Sequence, residues 1–86
     1  MKPLELDPEP QTALDALWER APKLADRVEE ALDWIEAGDP RARRRAFAGG
    51  RWVIAVSGAG EDWTIVWAED PPGQPVVRLI AETTSI

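Results

Sequence analysis

Apolar residues recur at helical spacing on both sides of a single proline, and this arrangement restricts the fold more than any other feature of the chain. Before it, Leu14, Leu17, Trp18 and Ala21 form one stripe, with Asp15, Glu19 and Arg20 away from it. After it, Leu24, Val28, Ala31, Leu32 and Ile35 form a second, with Asp26, Arg27, Glu29, Glu30, Asp33 and Glu36 elsewhere. Pro22 stands between the two. Proline lacks the N–H a helix interior needs and clashes with the preceding turn, yet it suits the first turn of a new helix. Two amphipathic helices with almost no linker fold as an antiparallel hairpin, and their shared apolar face needs a flat surface to cover. The ends are marked as well. Asp7 is an expected N-cap, Pro8 an expected first helical residue, and Gly38 followed by Asp39-Pro40 an expected stop.

The flat surface follows in the sequence. Residues 52–57 alternate Trp52, Ile54 and Val56 against Val53, Ala55 and Ser57; residues 63–69 alternate Trp63, Ile65 and Trp67 against Thr64, Val66 and Ala68. Gly58-Ala59-Gly60-Glu61 between them has turn chemistry, which makes the pair a β-hairpin. Asp70-Pro71-Pro72-Gly73 is a second turn. Val76 to Glu82 reads as a last strand, with Val77, Leu79 and Ala81 expected on one face and Arg78, Ile80 and Glu82 on the other. A short first strand, Lys2 to Leu6, precedes the helices. The expected fold is therefore α+β, in the order β-α-α-β-β-β, with residues 1–86 forming one domain and the helical hairpin on one face of a mainly antiparallel sheet. Both faces of the central strands are apolar, so one is left to curl on itself or to receive another chain.

Composition excludes several chemistries. The 86 residues contain no Cys and no His, which removes thiolate metal sites, thiol nucleophiles and the commonest general base. No metal site and no cofactor is expected. Ser57 and Ser85 lack a histidine partner, and the carboxylate pairs Glu29-Glu30, Glu61-Asp62 and Glu69-Asp70 lie on solvent faces or in turns rather than across a cleft. With no long apolar run and no signal-like start, the chain is expected to be cytoplasmic and not membrane-bound. Five tryptophans against one Phe suggest a core built largely around indole rings.

Charge singles out one segment. Residues 1–40 carry −7 and residues 52–86 carry −4, whereas residues 41–51 carry +5 from Arg41, Arg43, Arg44, Arg45 and Arg51. Three roles fit this insert. It can neutralise the acidic helices, hold an acidic segment of a partner protein, or contact nucleic acid; the overall charge of −6 disfavours the last. For the protein-binding role the candidate contacts are these five arginines with Arg78, and Trp52, Trp63 and Trp67 as aromatic anchors.

Taken together, the order of elements and three strings, ALDWIEAGDPRAR (Ala31 to Arg43), GGRWVIAV (Gly49 to Val56) and DWTIVWAED (Asp62 to Asp70), resemble the RelE/ParE superfamily of toxins from bacterial toxin–antitoxin pairs. The resemblance spans nearly the whole chain. It implies a compact sheet with both helices on one side, an acidic or amphipathic antitoxin segment wrapped on it, and either ribosome-dependent mRNA cleavage or gyrase poisoning; a homodimer is also compatible. Cleaving members carry basic residues along the first long strand, an arginine early in the next, and basic or aromatic groups at the end of the last. The matching positions here are Val53, Ala55, Thr64 and the tail Thr83 to Ile86. The expectation is therefore a toxin component or degenerate relative that acts by protein–protein binding without intrinsic RNase chemistry, the alternatives being an mRNA interferase or a non-toxic interaction module.

Overall fold

The computed structural model describes residues 3–85. Lys2 of the expected first strand and Ile86 of the tail lie outside them. The chain runs β1 (Glu5–Leu6), α1 (Pro8–Arg20), α2 (Pro22–Ala37), a 3-10 turn (Pro40–Arg43), β2 (Arg45–Phe47), β3 (Arg51–Gly58), β4 (Glu61–Glu69), β5 (Pro75–Glu82) and a last 3-10 turn (Thr83–Ser85). The strands form one sheet in the order β1-β5-β4-β3-β2, parallel between β1 and β5 and antiparallel elsewhere. This is the expected α+β build with one strand more than the sequence pattern indicated. No helix among the described residues is long and apolar enough to cross a membrane.

Ala21 alone separates the helices, ending α1 and opening α2, with Pro22 at the first position of α2. Gly38 closes α2 in the left-handed region at φ 72°, where an L side chain is strained. α1 lies against β5 and α2 against β3, so both cover the same face. Between the layers Leu17, Leu24, Ala25, Val28, Ala31 and Ile35 meet Ile54, Ile65, Trp67 and Val77, all at most 4% exposed. Each large aliphatic buried there contributes about 1.5–3 kcal/mol.

Gly58 and Glu61 face each other across the β3–β4 hairpin, leaving Ala59-Gly60 as a two-residue loop with φ 53° and 77°. Two positive φ values match the twist of the flanking strands, which explains why so short a loop suffices.

Five expectations are corrected. Asp7 sits at the N-cap of α1, but its side chain makes no capping bond; it turns to Arg78 instead. Trp18 is 43% exposed, because α1 buries Pro10, Leu14 and Leu17 and the indole stands beyond that stripe. The core is consequently aliphatic, with Trp67 its one deeply buried indole and Trp52 and Trp63 at the margin. In β5, Ile80 shares the core face with Val77. The register slips where Val66 opposes Leu79 but Trp67 opposes Val77, so Arg78 is an extra residue that reverses the alternation. Finally, Arg45–Phe47, read as part of a loop, is strand β2.

Candidate partner-binding site

The basic segment begins where α2 ends. Asp39 accepts the backbone N–H of Arg41 at 2.9 Å and the Arg41 guanidinium at 2.8 and 3.1 Å, so it caps the 3-10 turn and pins its first arginine. The Arg41 guanidinium also lies 4.3 Å from the centre of the Trp34 ring. The next residue, Ala42, is buried against the sheet and its carbonyl accepts the Trp67 Nε1–H at 2.9 Å. Arg43 then pairs with Glu69 while stacking over Trp52 (4.5 Å) and Trp67 (5.1 Å), which themselves stack at 4.8 Å. Arg41 and Arg43 are thus consumed in fastening the segment to the helix-covered side of the sheet.

Strand alternation divides the rest. Arg45 opposes Val53 and Phe47 opposes Arg51, which puts Arg45, Phe47 and Arg51 on the face away from the helices. There Arg51 donates to the Ala48 carbonyl at 2.7 Å and lies over the Phe47 ring, itself 41% exposed. Among the described residues, Arg27, Arg44, Arg45 and Arg51 have no carboxylate within ion-pair distance.

The sequence-derived residues are therefore not one site. Arg44, Arg45 and Arg51 gather at the β2 edge and are available; Trp52 is partly covered by Arg43. Trp67 is 1% exposed and out of a partner's reach. Trp63, half-buried, donates to Glu61 at the hairpin end of the sheet, and Arg78 bridges Asp7 and Asp70 near the start of β5. Sequence reasoning missed Arg27 and Trp34. Their spacing on α2 carries the signal, since Arg27, Glu30 and Trp34 fall at i, i+3 and i+7 and together line a groove beside β3.

On the face away from the helices, Arg45, Phe47, Val53, Ala55, Thr64 and Thr83 line a concavity of about 310 Å³, with Thr64 and Thr83 hydroxyls 3.0 Å apart. The surface is apolar, with one cation at its rim. It can hold an aliphatic or aromatic side chain beside a carboxylate.

Three surface carboxyls are held below their ordinary range. The Arg41 guanidinium and then its backbone N–H lower Asp39 from 3.8 to about 2. Hydrogen bonds from Arg20 and then Trp63 lower Glu61; the Gly73 backbone N–H and then Arg43 lower Glu69. Such carboxyls ionise more readily folded than unfolded, so the stability they add is complete above the unfolded carboxylate range and disappears as pH falls through the folded values. Thermal melts should accordingly lose midpoint temperature between about pH 4 and pH 2. Asp39→Asn, Glu61→Gln and Glu69→Gln combined should lower the midpoint at pH 7 and flatten that decline. An equally steep decline in the triple variant would refute the assignment.

The fold and site thus define a small α+β domain with two helices on a five-stranded mixed sheet and a basic edge. Comparison of the chain with protein-family models, with curated proteins and with solved structures gives no match.

Proposed function

We propose that this domain is a protein-binding component of RelE/ParE-like build, a toxin component or a degenerate relative of one, that holds an acidic segment at the edge formed by Arg44, Arg45 and Arg51. The observation that carries the reading is the partition of the arginines. Arg41 and Arg43 are paired and stacked, while among the described residues Arg44, Arg45 and Arg51 have no ion-pair partner; Arg45 and Arg51 lie on the face of exposed Phe47, and Arg44 lies with Arg45 in the groove beside β3. Long-range steering by such a patch favours acidic partners, and the chain's overall net charge of −6 disfavours nucleic acid. Val53, Ala55, Thr64 and Thr83, at positions where the resemblance would put catalytic groups, supply neither a base nor a cationic clamp for a phosphate.

Titration with a glutamate-rich amphipathic peptide should show binding that weakens steeply with salt, since exposed charges are screened beyond about 10 Å at 0.1 M. Arg44→Glu with Arg45→Glu should weaken it about tenfold or more. The same protein added to translating ribosomes should leave mRNA uncut. Affinity indifferent to both salt and charge reversal would sink the binding role, and mRNA cleavage abolished by Arg51→Ala would establish the nuclease instead.

A further inference from the structure

The outer strand β2 covers only part of its neighbour. Its three residues pair with Arg51–Val53, whereas β4 pairs with β3 as far as Gly58 on the other side. Among the described residues, no strand lies beside the outer backbone edge of β3 from Ile54 to Gly58. Five residues of open edge amount to about 17 Å. Proteins commonly blunt such an edge with proline, lysine or a bulge, because unpaired N–H and C=O groups invite a further strand. Ile54-Ala55-Val56-Ser57-Gly58 has none of these, and Ala55 and Ser57 are exposed. The opposite edge is different, since β1 is two residues long and lies between Pro3 and Pro8.

Chemistry beside the open edge points to an occupant. Two adjoining grooves of about 270 and 150 Å³ run along it and share Trp34 and Ala55. The first has Arg44 and Arg45 at the end where β2 begins, and the second has Arg27 and Glu30 from α2. Arg27, Arg44 and Arg45 lack ion-pair partners among the described residues; with Glu30, and with Arg41 paired to Asp39 and stacked on the ring, they surround the half-buried Trp34.

We infer that the open edge of β3 takes an extended acidic segment of a partner protein as an added strand, in line with β2, with carboxylates reaching Arg27, Arg44 and Arg45 and an apolar side chain lying on Trp34. The inference rests on the protein-binding reading above and specifies its mode. Backbone hydrogen bonds would supply affinity and the alternating side chains specificity. A second copy of this chain is disfavoured as occupant, because antiparallel edge pairing would set Arg44 and Arg45 of one copy near Arg27 of the other.

The test uses the full ¹⁵N-labelled chain and a synthetic peptide rich in glutamate with interspersed valines, so that both faces of an added strand carry carboxylates, with two further versions N-methylated at the odd-numbered or at the even-numbered nitrogens. Binding of the parent peptide should slow amide exchange within residues 54–58. One of the two methylated versions should lose about tenfold or more in affinity while the other is spared, since only one edge of an added strand faces β3. If both methylated peptides bind as well as the parent, strand addition is wrong and acidic recognition stands. If the parent peptide does not bind and Arg44→Glu with Arg45→Glu changes nothing, both readings fail. Amides 54–58 already protected in a concentration-dependent dimer would make the occupant a second copy and overturn the inference.

Discussion

Trp67→Ala is expected to unfold most of the protein or bring it close to unfolding at room temperature. The indole is 1% exposed near the end of β4, stacked on Trp52 beneath Arg43, and its Nε1–H satisfies the buried end of the 3-10 turn through the Ala42 carbonyl. Truncating a buried Trp costs about 3–5 kcal/mol. A chain of 86 residues has on the order of 4–13 kcal/mol in total. Trp67→Phe separates the two contributions. It keeps a ring under Arg43 but leaves the Ala42 carbonyl without its donor, a loss of about 1–3 kcal/mol. Urea denaturation followed by far-ultraviolet circular dichroism is the suitable measurement, because it does not depend on the residue removed. An unchanged midpoint in Trp67→Ala would show that the turn and β4 are not mutually stabilising as described.

The second large effect concerns the contact between α2 and the end of β3. Leu24 is fully buried, and Gly58 passes so close that a Cβ there would lie 3.4 Å from both the Leu24 Cα and Cδ1. Leu24→Ala should cost about 2–5 kcal/mol through lost burial and the cavity left behind. Gly58→Ala should cost much less, since its Cβ would stand at the near limit of ordinary contact with Leu24, where the flexible Cδ1 end can give by a few tenths of an ångström. In the double variant the missing Leu24 methyl makes room for the new Cβ. The combined loss should therefore fall short of the sum by about 0.5 kcal/mol or more. Strict additivity in the same urea experiment would mean that the two residues do not share space.

Much of this arrangement is legible in the residues. Pro22 divides two apolar stripes whose period matches the helix, and the observed helices begin and end within a few residues of the signals at Asp7-Pro8, Ala21-Pro22 and Gly38. The β3–β4 hairpin is equally plain, because alternation on both sides of a glycine-rich pair leaves one register that buries Trp63, Ile65 and Trp67 with Ile54 and Val56. β2 was not visible. It is three residues long, exposed along its length and begins with an arginine, so neither period nor hydropathy marks it; only the positive φ values of Gly49 and Gly50 betray the loop that returns the chain to β3. The face of Ile80 was hidden for a different reason. A bulge is a slip of one residue against a neighbouring strand, and the pattern of β5 alone does not record what lies opposite it.

The candidate site shows the same division. Composition and charge alone located the +5 segment and excluded thiol and imidazole chemistry. Which arginines remain free was decided by the fold: the 3-10 turn lays Arg43 over two indoles and beside Glu69, Asp39 holds Arg41, and the alternation of β2 sends Arg45 to the opposite face. The open edge of β3 likewise depends on where β2 stops. By itself, then, the sequence determined the helical hairpin, the central strands and the place of the positive charge, because these follow from local period and composition. The tertiary structure alone decided the partners of that charge and the length of strand left unpaired, because both depend on residues far apart in the chain meeting across the sheet.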